Sequence, residues 1–489
     1  MKSFLDKYYN IIILSIYALV LLLRVYNLEQ KNLWFDEIFS WHLSQKTFAG
    51  IINGTAGDIH PPLFYFMLKL WSTLFGESVF ALRMLSVICS LIASVVFFNI
   101  LNLITQERYA ILFGMFMYAI SPVNIYYSQE VRMLNLNLLF ALLSVYYFLK
   151  NREQYSQIYS VLYILFTVAA IYTHYFSFLI LLTQMIITGY DFTRNRTGKI
   201  FKYILNFIIT ILLYAPWFWT MIRQLMKGQE WRTPQTASMV FSNTIAFFND
   251  VFFSYYVYYQ TILPLNIIEG LSLLMLLISL FLPLYFYFIG KNDSVFIVSL
   301  FFTVPFVTAV LVSINNSILL SRYLSILIPY LIASFIGFII CVRFSIVRIL
   351  FSSFLIFVSL TGMIFNYSYD FKNNDYRELT SYLNSNAQDD ELISVEPHYM
   401  GWHILHYAKT NNVKFSEPVT LGWDINMMID SIRIKKDIQK IWIVLDYSSL
   451  DTNRYSSLRS EMKNIGFELK DYRIFKQIPA KVELFKFER

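Results

Sequence analysis

Charge is scarce in this chain. Asp, Glu, Lys and Arg make up 15% of 489 residues, whereas a soluble globular protein carries about 25%. Cysteine is scarcer still. Cys89 and Cys341 each sit inside an apolar run, which excludes a disulfide framework. There is no glycine-rich phosphate loop, no internal repeat, no low-complexity tract and no HExxH-type metal spacing. Together these absences exclude a disulfide-stapled secreted domain, a nucleotide-binding loop and a zinc protease. What fills the chain instead is hydrophobic surface, at 57% hydrophobic and 19% aromatic. The mean hydropathy is +0.51.

Run length decides the class. "IIILSIYALVLLL" (11–23) and "GLSLLMLLISLFLPLYFYFI" (270–289) approach or reach the roughly 20 residues that cross a hydrocarbon core. Runs of this kind recur near 9–27, 79–104, 109–123, 132–149, 157–173, 175–190, 203–222, 266–289, 294–313, 322–341 and 347–367. The expected architecture is therefore an all-α polytopic membrane protein with about 11 transmembrane helices. The basic N-terminus and its apolar run resemble a signal peptide. The bulky "LRVYNLEQK" that follows offers no small-residue cleavage site, so the run reads as an uncleaved first span.

The net charge of +7 is not a nucleic-acid signal. Residues 370–489 hold 17 basic and 18 acidic side chains, so the excess lies in the membrane part. There, Lys2 and Lys7, Arg108, Lys150 with Arg152, "RNRTGKIFK" (194–202), Lys291, and Arg343 with Arg348 mark alternate helix ends. The positive-inside rule places those ends in the cytoplasm. The N-terminus is then cytoplasmic and the C-terminal part extracytoplasmic. This parity holds if 241–260 is an outer-surface or re-entrant helix. Its Ser242, Asn243, Asn249 and Asp250 are awkward in lipid.

The first outer loop, 28–78, is long and carries two candidate surface helices. One covers 36–46. The other covers 61–75, opens on Pro61-Pro62, and has Tyr65, Lys69, Ser72 and Thr73 on one face, a pattern for lying in the interface plane. Beyond about 370 the composition becomes ordinary. "DYRELTSYLNSN", "HYMGWHILHYAKT" and "SSLRSEMKNIGF" read as helices, and "ELISVEP", "KIWIVLDY" and "KVELFKFE" as strands. The expected domains are thus a membrane module, 1–368, and a small extracytoplasmic α/β domain, 369–489.

Ionisable groups near lipid are expensive and usually have a function or a partner. In the orientation above, Asp36, Glu37, His60, Arg83, Glu130, Arg132, His174 and Arg322 all fall at the outer face, from spans far apart in sequence. Each has a plainer reading. Asp36 alone reads as the cap of the short helix that follows. Glu130 and Arg132 pair with each other, and His174 is an interface or satisfied polar residue. Arg83 and Arg322 snorkel, and His60 is a loop residue before two prolines. None of these readings explains why all the groups share one side. Arginines suit a phosphate ester, and a carboxylate suits proton abstraction. The combination points to transfer from a lipid-phosphate donor.

The motifs "LWFDE", "DIHPPLFYFMLKLW", "YSQEVRM", "THYFS" and "SRYLSILIP", in that order and spacing, resemble the bacterial and archaeal relatives of the protein O-mannosyltransferase family. These are glycosyltransferases of the GT-C fold that use polyprenyl-phosphate sugars. The resemblance covers about residues 1–345. It implies a membrane hexosyl- or pentosyltransferase of the cell envelope that inverts the sugar carbon and faces away from the cytoplasm. It implies Asp36 as base with Glu37 beside it, and Arg132 and Arg322 on the donor phosphate. His60, Glu130, His174 and Tyr323 become supporting residues, and Trp231 a sugar or acceptor contact or an interface anchor. The implied partners are a polyprenyl-phosphate-linked sugar, membrane lipid, and a glycan, lipid or protein acceptor, with no nucleic acid. No metal is expected from the spacing, although some related enzymes hold a divalent cation near the acceptor carboxylate. Two rival classes remain. A transporter or flippase of lipid-linked sugars would carry midplane polar groups and repeat symmetry between halves, and neither is found. A non-catalytic membrane scaffold for the C-terminal domain would tolerate Asp36→Asn.

Overall fold

A computed structural model describes residues 2–194, 200–227, 235–254, 264–290, 292–368, 374–388, 391–410, 429–430, 432, 439–447, 458–476 and 481–489. The chain divides into two compact units. One comprises Met1–Tyr26, Lys46–Trp71 and Arg83–Tyr369. The other comprises Asn27–Gln45, Ser72–Leu82 and Asp370–Arg489.

The first unit is helical and membrane-spanning. All eleven expected runs fall on helices. Among the described residues, seven helices are long and apolar enough to cross a membrane: Lys7–Val25, Val79–Ile104, Ile200–Lys227, Leu265–Ile289, Asp293–Ser313, Ser321–Cys341 and Ser345–Tyr367. An eighth candidate is the pair Arg108–Ile120 and Pro122–Ser128, bent by 52°. The bend has a cause, since Pro122 offers no N–H to continue the ladder and starts a new helix instead. Gln157–Thr173 and Ser177–Thr193 are shorter, at 17 residues each. The stretch weighed as a surface or re-entrant helix forms Ala237–Phe253, and its remainder, 255–260, lies outside the described residues.

Helices in lipid associate through close packing and buried hydrogen bonds, and both are present. At Gly337 an added Cβ would lie 2.1 Å from the Val295 side chain, and at Gly362 it would lie 2.5 Å from the Phe252 carbonyl oxygen. Glycine therefore sets both helix approaches. Ser144 and Thr167 hydroxyls meet at 2.7 Å, and Gln184 donates to Ser144 at 3.0 Å. Tyr163 donates to Gln184 at 2.9 Å, and Ser177 donates to Asn137 at 2.6 Å. This ladder ties the Leu134–Glu153, Gln157–Thr173 and Ser177–Thr193 helices together on either side of His174. Arg24, fully buried, is satisfied by the Ser90 hydroxyl at 2.7 Å and by the carbonyls of Val20, Ala119 and Tyr118 at 3.2–3.3 Å. A buried charge with this many partners is structural.

The second unit is built on a four-stranded sheet. Strands β1 (Leu392–Glu396), β2 (Lys440–Asp446), β3 (Glu468–Lys476) and β4 (Lys481–Glu488) run in the order β1-β2-β4-β3. The β1–β2 pair is parallel, and β2–β4 and β4–β3 are antiparallel. Ile441, Ile443, Leu445, Met462, Phe467, Phe485 and Phe487 fill one core. The helices Tyr376–Asn386, Gly401–Thr410 and Leu458–Asn464 and strands β1, β2 and β4 coincide with the expected ones. β3 is the addition. It is an edge strand, largely exposed, with a register shift between Leu469 and Asp471. The two pieces of the first loop that belong to this unit include the Phe35–Ser44 helix.

Candidate functional site

Within the helical unit a cavity of about 710 Å³ is lined by Ile59, His60, His174, Tyr175, Phe176, Leu179, Gln224, Leu225, Lys227, Val312, Asn316, Ile318 and Tyr323. That volume lies within the usual range for a small-molecule site. Its walls come from four parts of the sequence. The Ile59–Pro62 turn supplies His60, and the corner Thr173–Ser177 supplies His174, Tyr175 and Phe176. The end of the Ile200–Lys227 helix supplies Gln224 and Lys227, and the stretch 312–323 supplies Val312, Asn316, Ile318 and Tyr323.

The aromatic and imidazole rings form a connected cluster. The ring centroids of His60 and His174 are 5.8 Å apart, and those of His174 and Tyr323 are 5.4 Å apart. Phe176 lies 5.4 Å from His174 and 5.1 Å from Tyr323. The hydrogen bonds set the tautomers. His60 Nδ1 meets the Asp58 carboxylate at 3.0 Å, so Nδ1 carries the proton. His174 Nδ1 accepts the Phe176 N–H at 3.2 Å, so a neutral His174 carries its proton on Nε2.

Asp58 joins this cluster without a sequence signal of its own. Burial pushes its carboxyl upward, but the His60 hydrogen bond and charge, the Arg132 guanidinium and the Ile59 amide outweigh that and hold it below the ordinary carboxylate value. Arg132 is therefore close enough to act electrostatically on the Asp58–His60 pair. Arg132, Glu130 and Arg83 are all buried. The Arg132 N–H donates to the Glu130 carbonyl at 2.9 Å, and the Ser86 hydroxyl to the same carbonyl at 2.6 Å. The Arg322 guanidinium lies over the Tyr323 ring at 5.1 Å.

On the cavity floor, Gln224 donates to the Thr55 carbonyl at 2.7 Å and accepts from the Tyr175 hydroxyl. Tyr175 in turn accepts from Trp217 Nε1 at 3.0 Å. This chain fixes the end of the helix that carries Lys227. Asp58, Tyr175, Gln224 and Lys227 are not among the residues that the sequence marks as candidates. Asp58 sits two residues before His60, within the quoted motif, and the i+2 spacing was its only mark. Lys227 ends an ordinary apolar helix and gives no such mark.

Asp36 and Glu37 belong to the other compact unit. They fall in the first turn of the Phe35–Ser44 helix, where acids complement the helix dipole. Trp34, not Asp36, is the capping residue, so the plain capping reading of Asp36 does not hold. Glu37 does the capping work, since its carboxylate accepts the Trp34 N–H at 3.2 Å from a fully buried position. Asp36 is half-buried. Trp231 lies outside the described residues. Among the described residues, no group of three or more His, Cys, Asp or Glu side chains is arranged to hold a metal.

Two comparisons with known proteins found a likeness. The family model described as dolichyl-phosphate-mannose-protein mannosyltransferase matches residues 59–219, a segment that holds His60, Arg132 and His174. No curated protein sequence matches the chain. The crystal structure of ArnT from Cupriavidus metallidurans bound to undecaprenyl phosphate superposes with a TM-score of 0.56 at 12% identity, covering 96% of this chain and 97% of that one. The apo-state structure of the same protein gives 0.45 at 13% identity, over 96% and 97%. The first of these likenesses extends over nearly the whole of both chains, and it shows that this protein shares the ArnT fold.

Proposed function

We propose that the protein is a membrane glycosyltransferase that moves a sugar from a polyprenyl-phosphate donor to an acceptor at the extracytoplasmic face. The observation that carries the reading is the cavity in the helical unit. Polar groups from four distant segments, His60, His174, Lys227 and Tyr323, meet there beside apolar Leu179, Leu225 and Val312. A lipid-linked sugar needs both kinds of wall. Support also comes from the family-model match over 59–219 and from the fold shared with a protein crystallised with undecaprenyl phosphate.

The reaction is a single displacement. An acceptor hydroxyl oxygen attacks the anomeric carbon, and the bond from that carbon to the phosphate oxygen breaks. The polyprenyl phosphate leaves with the electron pair, and the configuration inverts. Asp36 takes the hydroxyl proton. Arg132, Arg322 and Lys227 stabilise the charge that grows on the departing phosphate. His60, held by Asp58, and His174 orient the sugar. Glu130 supports Arg132, and Tyr323 supports Arg322. Glu37 anchors the turn that presents Asp36. The acceptor is a glycan, lipid or protein of the cell envelope.

The test is a deletion strain analysed by mass spectrometry of its envelope glycans. Complementation with the wild-type gene restores a sugar that the deletion lacks, and complementation with Arg132→Ala does not. Identical envelope glycans in the deletion and wild-type strains would overturn the reading.

A further inference from the structure

The C-terminal domain has no role in the displacement as written. We propose that it is the positioning element for the helix that carries Asp36, with Trp402 and Tyr407 as the positioning residues. The inference rests on the reading of Asp36 as base.

The Phe35–Ser44 helix is held by the tail at its entry, along one face and at its exit. At the entry, both backbone groups of Leu33 are taken up by tail side chains. Its N–H donates to the Tyr407 hydroxyl oxygen at 2.8 Å, and its carbonyl accepts from Asn374 at 3.0 Å. Asn32, one residue earlier, donates to the Asn374 carbonyl. Along the helix, Phe35, Phe39 and His42 are spaced four and three apart and form one stripe. That stripe meets the Gly401–Thr410 helix. His42 stacks on Trp402 with centroids 4.2 Å apart and planes 8° apart. Phe35 is nearly parallel to the same indole at 6.4 Å and 12°, and Phe39 lies 6.0 Å from it. Phe35 also meets the Tyr399 ring edge-on at 5.0 Å.

At the exit, Lys409 donates to Gln45 at 3.0 Å and to Glu77 at 2.7 Å. Glu77 also accepts from Trp41 Nε1 at 2.8 Å, and the Trp41 ring meets His406 at 4.7 Å. These contacts leave the helix neither a free rotation nor a free slide. Asp36 follows Phe35 directly, so any roll of the helix off Trp402 carries its carboxylate with it. A general base must stay within hydrogen-bond reach of the proton it removes, and a displacement of about 1 Å costs as much as about 100-fold in rate. A tail that only kept the chain soluble would not need to grip this helix at both ends.

The test uses the full-length purified chain in lipid nanodiscs, with Trp402→Ala, Trp402→Phe and Tyr407→Phe. Two quantities are read: amide hydrogen exchange of residues 33–44, and the rate of sugar transfer per folded molecule. Affinity for polyprenyl phosphate serves as the control. In Trp402→Ala the 33–44 amides exchange at least about tenfold faster while β2 and β4 stay protected, and transfer falls by about 10- to 100-fold. Affinity for polyprenyl phosphate is unchanged. Trp402→Phe, which keeps a ring for His42, recovers most of the rate. Tyr407→Phe gives a smaller change of the same kind. Unchanged exchange at 33–44 in Trp402→Ala overturns the anchoring. Faster exchange with an undiminished transfer rate overturns the positioning role. Full transfer by Asp36→Asn instead overturns the base assignment, while the exchange measurement still decides whether the tail holds the helix.

Discussion

The helices Ser177–Thr193 and Asp293–Ser313 connect two very different ends of the helical unit, about 25–30 Å apart at 1.5 Å per residue. At one end, Arg152 donates to Asp191 at 2.8 and 2.9 Å and to Asp293 at 2.7 Å, and Tyr190 adds a bond to Asp293 at 3.2 Å. One arginine thus bridges two acids on different helices. At the other end, His174, Lys227, Asn316 and Tyr323 border an open cavity. Both ends carry costly polar groups. At the first end they are engaged in ion pairs between helices, and at the second they line the larger cavity. Asp293 and Tyr190 also border a hollow, of about 380 Å³, so what sets that end apart is the ion pairing of its charges across helices.

Substitutions at the two ends therefore fail in different ways. Arg132→Ala, at the cavity end, lowers transfer by about 100- to 1,000-fold with an unchanged melting temperature. The check is a transfer assay on protein shown to be folded. Arg152→Ala, at the ion-paired end, does the reverse. It removes the two-pronged partner of Asp191 and costs about 3 kcal/mol of stability, while activity per folded molecule stays at the wild-type value. Thermal unfolding alongside a specific-activity assay reads both. If Arg152→Ala instead removes activity without destabilising, the division between the ends collapses. Lys227→Ala sharpens the contrast. It weakens polyprenyl-phosphate binding by about tenfold, the worth of one charge-assisted contact, with little effect on stability.

The tail domain extends the same comparison to pH. Burial lowers the pKa of His403 from 6.5 to about 4. For His406, burial and then the neighbouring charges of His403, Lys409 and Arg377 lower it to about 3. Both are neutral in the folded state where the unfolded chain already binds a proton. Stability is therefore full above about pH 6.5 and falls as the pH drops toward these values, by about 1.4 kcal/mol per pH unit per histidine. Urea unfolding of the tail, followed at pH 7.5 and 5.5, reads this loss, and a pH-independent midpoint contradicts it.

Much of this organisation was legible in the sequence, for definite physical reasons. Long apolar runs leave little choice but to be helices, so all eleven coincide with helical segments. The tail's β2, with every residue from Ile441 to Asp446 buried, announces itself as a strand. β3, "ELKDYRIFK", does not, because an exposed edge strand has no apolar face to betray it. At the site, His60, His174 and Tyr323 stood out as polar residues in apolar or proline-marked surroundings, and they share one cavity. Asp58 and Lys227 did not, since an acid in a loop and a lysine at a helix end are ordinary until a hollow is known beside them. The hold of Trp402 and Tyr407 on the first loop joins residues some 360 positions apart, and no local pattern encodes it.

Asp36 is the group proposed to remove the acceptor proton, and Asp36→Asn tests this most directly because it keeps shape and removes the basic oxygen. In purified protein the variant is predicted to bind polyprenyl phosphate as the wild type does and to transfer sugar at least about 1,000-fold more slowly. Transfer at the wild-type rate by that variant would contradict the mechanism.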